Sequence, residues 1–156
     1  MLKIIAVCKG NRARSPMFEA ILRQKLQLEG KIDIQVESGG TTEVYELDDL
    51  YAEEGAVIAM RKLGIDISNH QSRCIMDLDI SGFDVVFCME SAVRDSIIEE
   101  IRDGLRGRLK RPKVILVNED GGGIPNPYGK DQESYEEALS VIQRYIAGLD
   151  MSQFTQ

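Results

Sequence analysis

The chain has 156 residues, enough for one domain that buries roughly 70% of the surface its unfolded form exposes, and too few for two ordinary ones. Its 19 basic and 26 acidic side chains give a formal charge of −7, which argues against a nonspecific polyanion surface and so against nucleic acid as a partner. One histidine, His70, and three cysteines, Cys8, Cys74 and Cys88, in no Cys-x-x-Cys spacing leave no metal-ligand pattern, so neither metal nor other cofactor is expected.

In chain order, Leu2-Lys3-Ile4-Ile5-Ala6-Val7 reads as a first strand, followed by a helix over about 15–29. Phe18, Ile21, Leu22 and Leu26 fall on one face of that helix, and Gly30 ends it. Ile32, Ile34 and Val36 alternate with polar residues, the period of a half-exposed edge strand. Ala52, Ala56, Ala59, Met60 and Leu63 mark a second helix closed by Gly64, and 83–89 is an apolar run of a buried strand. A third helix turns Ile97, Ile98 and Ile101 inward and stops near Gly104, Val114-Ile115-Leu116-Val117 is a fourth strand, and Ser134 with Glu137 forms a capping box opening a last helix. Strands alternating with helices predict a single domain over 1–156: a four-stranded parallel sheet of Rossmann-like or flavodoxin-like type, flanked by helices on both faces, with ligands at the carboxyl ends of its strands. The basic stretch 102–113 is expected to be a solvated turn that could dock an acidic partner. No apolar run approaches the ~18 residues needed to span a bilayer, so no membrane partner is expected, and the few, odd-numbered cysteines suit a reducing, cytoplasmic setting.

The segment Cys8-Lys9-Gly10-Asn11-Arg12-Ala13-Arg14-Ser15-Pro16, between the first strand and first helix, carries the chemistry. Backbone amides of a tight loop and a helix N-terminus point at one place and favour an anion there. Gly10 and Asn11 tolerate the left-handed backbone such convergence requires, and Arg14 offers a planar fork for two phosphate oxygens. Cys8 shares that positive field, the setting in which a thiol becomes a nucleophile, and Ser15 can donate a hydrogen bond to it. Lys9, Arg12 and Arg14 make the loop +3 within an acidic chain, which suits a single phosphate or sulfate rather than a polymer.

This loop resembles that of the low-molecular-weight protein tyrosine phosphatases, whose fold is shared by the thioredoxin-coupled arsenate reductases. Further segments resemble that family in order along nearly the whole chain: Val36-Glu37-Ser38-Gly39-Gly40-Thr41, the stretch 64–73, Phe83-Asp84-Val85-Val86-Phe87-Cys88-Met89, and Pro125-Asn126-Pro127-Tyr128. The resemblance implies that Cys8 attacks phosphorus to form a phosphocysteine, that Arg14 binds the equatorial oxygens, and that the loop amides of Lys9 to Ala13, with Tyr128, meet a phosphorylated protein or aryl phosphate. It also implies a supporting network of Asn11, Ser15, Ser38 and His70.

One departure concerns the proton. The family places an aspartate before proline on the late loop, and this chain has Asn126 there, an amide that cannot serve as acid and then base. General acid–base catalysis is typically worth roughly 10²–10⁴-fold. Asp131 and Asp120 flank the loop as substitutes, and a pseudophosphatase that binds without turnover is the alternative. A second departure is Arg12, where an aliphatic residue or threonine is usual; it either adds charge at the rim or faces solvent. The segment 43–54 carries six carboxylates and no base, an acidic rim favouring basic over acidic phosphopeptides, and Tyr45, Tyr51 and Tyr128 are candidate aromatic walls. An arsenate reductase would need Cys74 and Cys88 as a redox relay, and Cys88 falls inside the third strand.

Overall fold

A computed structural model describes residues 1–104 and 111–154. Strand β1, Lys3–Cys8, lies inside the sheet, with β2, Gln35–Gly40, on one side and β3, Val85–Cys88, on the other; β4, Lys113–Leu116, pairs with β3, and all pairs are parallel in the order β2-β1-β3-β4. The apolar run of β1 has no polar alternation because both of its faces are covered. Ile4, Ala6 and Cys8 share a cluster with Met17, Phe18 and Leu22 of α1, Arg14–Leu28, with Met60 of α2, Glu54–Arg61, and with Leu139 and Ile142 of α4, Gln132–Ala147. Ile5 and Val7 point the other way, onto Val93, Ile97 and Ile101 of α3, Ser91–Gly104. No helix among the described residues is long and apolar enough to cross a membrane.

The sheet sits as the periodicities predict, with several local differences. The second strand is an edge strand but begins at Gln35, not Ile32; Ile32 lies in a turn and is 88% exposed. The ladder instead continues through Ser38 to Gly40, because the partner strand runs on to Cys8, opposite Gly40. Its open side is blunted by two arginines: Arg23 bonds the Val36 carbonyl through Nε at 3.0 Å and Nη2 at 2.6 Å, and Arg73 Nη2 the Ser38 carbonyl at 3.1 Å. Ile98 is exposed, since the inward stripe of α3 runs Val93, Ile97, Ile101. Ala52 precedes α2 and Leu63 follows it, in the turn that Gly64 closes at φ +78°. The last helix starts before Ser134: Asp131 caps it, its Oδ1 accepting from the Ser134 amide at 3.1 Å and hydroxyl at 2.8 Å. Of the basic stretch 102–113, Arg106, Arg108 and Lys110 lie outside the described residues.

Two glycines bring loops to the carboxyl end of β1. A Cβ on Gly40 would stand 2.8 Å from the Lys9 carbonyl oxygen, so only glycine lets the end of β2 close on the loop after β1. At Gly123, φ +101°, a Cβ would stand 2.5 Å from the Met89 carbonyl oxygen. There the chain after β4 crosses the end of β3, and the Ile124 amide bonds that carbonyl at 2.8 Å.

Candidate active site

Cys8, the last residue of β1, is 3% exposed and lies at a cleft of about 400 Å³ lined also by Lys9, Gly10, Arg12, Ala13 and Arg14. Its Sγ is 3.2 Å from the Asn11 amide and 3.0 Å from Ser15 Oγ. Asn11 adopts φ +55°, which turns its amide back onto the sulfur. Among the described residues the loop amides of Gly10, Arg12 and Ala13 donate to no backbone carbonyl, which leaves them available to an anion at the start of α1.

Every polar group of Asn11 is used. Nδ2 donates to Ser15 Oγ at 2.8 Å and Ser38 Oγ at 3.0 Å, Oδ1 accepts from the Arg73 amide at 3.0 Å, and the carbonyl accepts from His70 Nε2 at 2.7 Å and Ser72 Oγ at 2.8 Å. Because a carbonyl only accepts, Nε2 of His70 carries the proton. Burial pushes the His70 pKa down, outweighing its hydrogen bond to Asn11 and the nearby Glu19 carboxylate. Ser38 Oγ in turn donates to Glu19 Oε1 at 2.6 Å. Ser15 Oγ, having accepted from Asn11, has one proton to give; the Cys8 sulfur at 3.0 Å is better placed than the Gly39 carbonyl at 3.4 Å.

Arg14 is 3% exposed, its Nη1 held by the Ile124 carbonyl at 3.2 Å and Glu90 Oε2 at 3.3 Å. Nε and Nη2 are left as the donors that can turn to an anion. Glu90 also takes Lys9, Nζ to Oε1 being 3.5 Å. Arg12 does not point to solvent: Nε bonds the Tyr51 carbonyl at 2.7 Å and Nη2 bonds Asp49 Oδ2 at 3.1 Å. Each cation of the loop therefore has a carboxylate partner.

The cleft holds Asn126 and Tyr128 on its wall. The Asn126 side chain is turned to its own loop, Oδ1 accepting from the Tyr128 amide at 3.2 Å. Neither expected substitute lines the cleft. Asp131 is spent on the cap of α4, where the Ser134 bonds hold its carboxyl below the usual range. Asp120 is in the turn Glu119–Gly121. Tyr45 and Tyr51 are outside the lining; the Tyr45 hydroxyl donates to Asp77 at 2.9 Å, and the Tyr51 hydroxyl accepts from Gln71. The carboxylates in the wall are Glu43, Glu46 and Glu53. All three thiols are buried and unbridged, and burial pushes Cys88 up to about 12.

Glu19, Ser72, Arg73 and Glu90 carry parts of this arrangement that sequence reasoning did not assign. For Glu90 the signal was present: it stands just past the carboxyl end of β3, where a parallel sheet binds its ligands. Ser72 and Arg73 follow His70 closely, but nothing in the string says that Arg73 serves through its amide.

Residues 3–153 match the sequence model of the low molecular weight phosphotyrosine protein phosphatases. A probable low molecular weight protein-tyrosine-phosphatase, EpsP, of Ralstonia nicotianae is 34% identical over 144 residues, covering 92% of this chain and 90% of that one. The crystal structure of a low molecular weight protein tyrosine phosphatase from T. tengcongensis superposes with a TM-score of 0.77 at 27% identity, over 94% of this chain and 96% of the other. Vibrio vulnificus Wzb, solved with benzylphosphonate, gives 0.75 at 26% identity over 94% of each chain.

Proposed function

Because the chain belongs to the low molecular weight phosphotyrosine protein phosphatases, we propose that it hydrolyses phosphotyrosine and related aryl phosphate monoesters through Cys8. The observation that carries this is Cys8 Sγ at the cleft, with hydrogen-bond donors at 3.0 and 3.2 Å and Arg14 fixed beside it. In the first step the Cys8 sulfur bonds to phosphorus as the bond to the aryl oxygen breaks, and the leaving oxygen takes the bonding pair. Amides of the loop and the Arg14 fork hold the three equatorial oxygens, whose charge is spread in the transition state. In the second step water attacks the phosphocysteine, the P–S bond breaks with its electron pair on sulfur, and inorganic phosphate leaves carrying the protons of the water.

Asn126 takes the aspartate's place and supplies no proton, so an aryl oxygen leaves as phenolate. Esters of acidic phenols tolerate this, and esters of tyrosine pay for it in rate. Activity on p-nitrophenyl phosphate is expected in the wild type and loss of roughly 10³-fold or more in Cys8→Ser. Asn126→Asp is expected to raise turnover of phosphotyrosine by roughly 10²-fold or more, and that of p-nitrophenyl phosphate by less. A wild type that is silent while Asn126→Asp is active identifies a binding protein that has lost turnover. Silence of all three removes the catalytic reading.

A further inference from the structure

Resting on the phosphatase reading, we propose that this cleft selects phosphotyrosine flanked by basic residues, with Glu43, Glu46 and Glu53 as the specificity determinants. The first ground is the state of the loop's positive charge. Lys9 and Arg14 share Glu90, and Arg12 is paired with Asp49, so the loop presents donors to one phosphate with little surplus field for further anions. The second is what stands around those donors. Glu43 and Glu46 come from the turn Thr42–Glu46 and Glu53 from the residue before α2, and all three side chains line the same cleft as Cys8, Arg14 and Tyr128.

Glu53 is the most constrained of them. Its Oε1 accepts from the Tyr135 hydroxyl at 2.5 Å, and the Tyr135 ring lies against Gly55, where a Cβ would come within 2.3 Å of it. Glu43 and Glu46 are exposed and adaptable, suited to meet lysine or arginine side chains on either side of a bound tyrosine. No lysine or arginine occurs anywhere in 43–54 to offset them. A phosphate dianion filling the loop adds negative charge, so flanking cations gain and flanking carboxylates lose.

The test separates recognition of the flanks from catalysis by measuring binding to Cys8→Ser. The probes are two phosphotyrosine peptides of one length, one flanked by Lys and Arg and one by Asp and Glu, each beside its unphosphorylated form. The basic phosphopeptide is expected to bind about tenfold tighter than the acidic one. That ratio is expected to shrink toward one in Cys8→Ser carrying Glu43→Gln, Glu46→Gln and Glu53→Gln, and likewise at 0.5 M salt, about a 4 Å screening length. Equal affinity for both phosphopeptides, each above its unphosphorylated form, overturns the proposal and leaves the phosphate site intact. Tight binding of the basic peptide irrespective of phosphate overturns the proposal and the site reading together.

Discussion

Asn11 concentrates the demands of the site on one residue. It is fully buried, sits at φ +55° without being glycine, and spends its amide, its carbonyl and both ends of its side chain on six neighbours. Substituting alanine leaves the Arg73 amide without its acceptor and takes from Ser15 and Ser38 the donor each accepts from, lost pairings that cost ~1–3 kcal/mol each where buried, and puts at φ +55° a residue that tolerates the left-handed region less well than asparagine. Asn11→Ala is therefore expected to lose about 3 kcal/mol or more, a fall of roughly 6–12 °C in Tm for a domain of this size. Asn11→Gly keeps the backbone shape and is expected to melt between the two. Thermal denaturation of the three proteins checks it, and an alanine variant that melts with the wild type would show that the loop is held by other means.

At the scale of elements, the contact of α2 with α4 turns on a missing side chain. Gly55 lies in the first turn of α2, where alanine is worth about 1 kcal/mol more than glycine by helix propensity alone. Packing opposes that gain, since a Cβ would enter the Tyr135 ring, itself 8% exposed and tied to Glu53. Overpacking of this kind costs ~1–3 kcal/mol, so Gly55→Ala is expected to lower the urea midpoint with m unchanged; a higher midpoint would mean the helices slide apart freely. Such facts explain which elements were legible in the sequence. β1, β3, α1 and α4 announce themselves because apolar period and burial coincide. The start of β2 did not, because Ile32 and Ile34 imitate a strand while Ser38, Gly39 and Gly40, with no apolar signal, form it opposite β1. The residue types of the Cys8 to Ser15 loop suffice to single it out as a candidate anion site, whereas the pairing of Arg12 with Asp49 and of Arg14 with Glu90 depends on contacts between distant segments.

Across the whole molecule, the same groups that shape the site make stability depend on pH, and the sign follows from where each proton goes. His70 has its pKa lowered from 6.5, chiefly by burial, with Arg73 lowering it further and Glu19 opposing. The unfolded chain then binds a proton that the folded chain refuses, so stability is full above the unfolded value and falls as pH drops below it, levelling off once the folded value is passed. The exposed carboxylates Asp66, Asp131 and Asp150 are shifted in the same direction, downward, with the same consequence. Serine hydrogen bonds lower each from 3.8, so their contribution is present above that value and disappears as pH falls through the depressed folded ones. Acid is thus expected to weaken the fold in two stages, the first beginning near pH 6.5 and the second below about pH 4. Melting temperatures of the wild type and His70→Gln between pH 8 and pH 3 distinguish the stages. The variant starts lower, having lost a bond to the Asn11 carbonyl, but its curve stays flat through the first window and falls only in the second. A wild-type curve flat from pH 8 to pH 5, or a variant that falls as steeply there, would remove His70 as the source of the first stage.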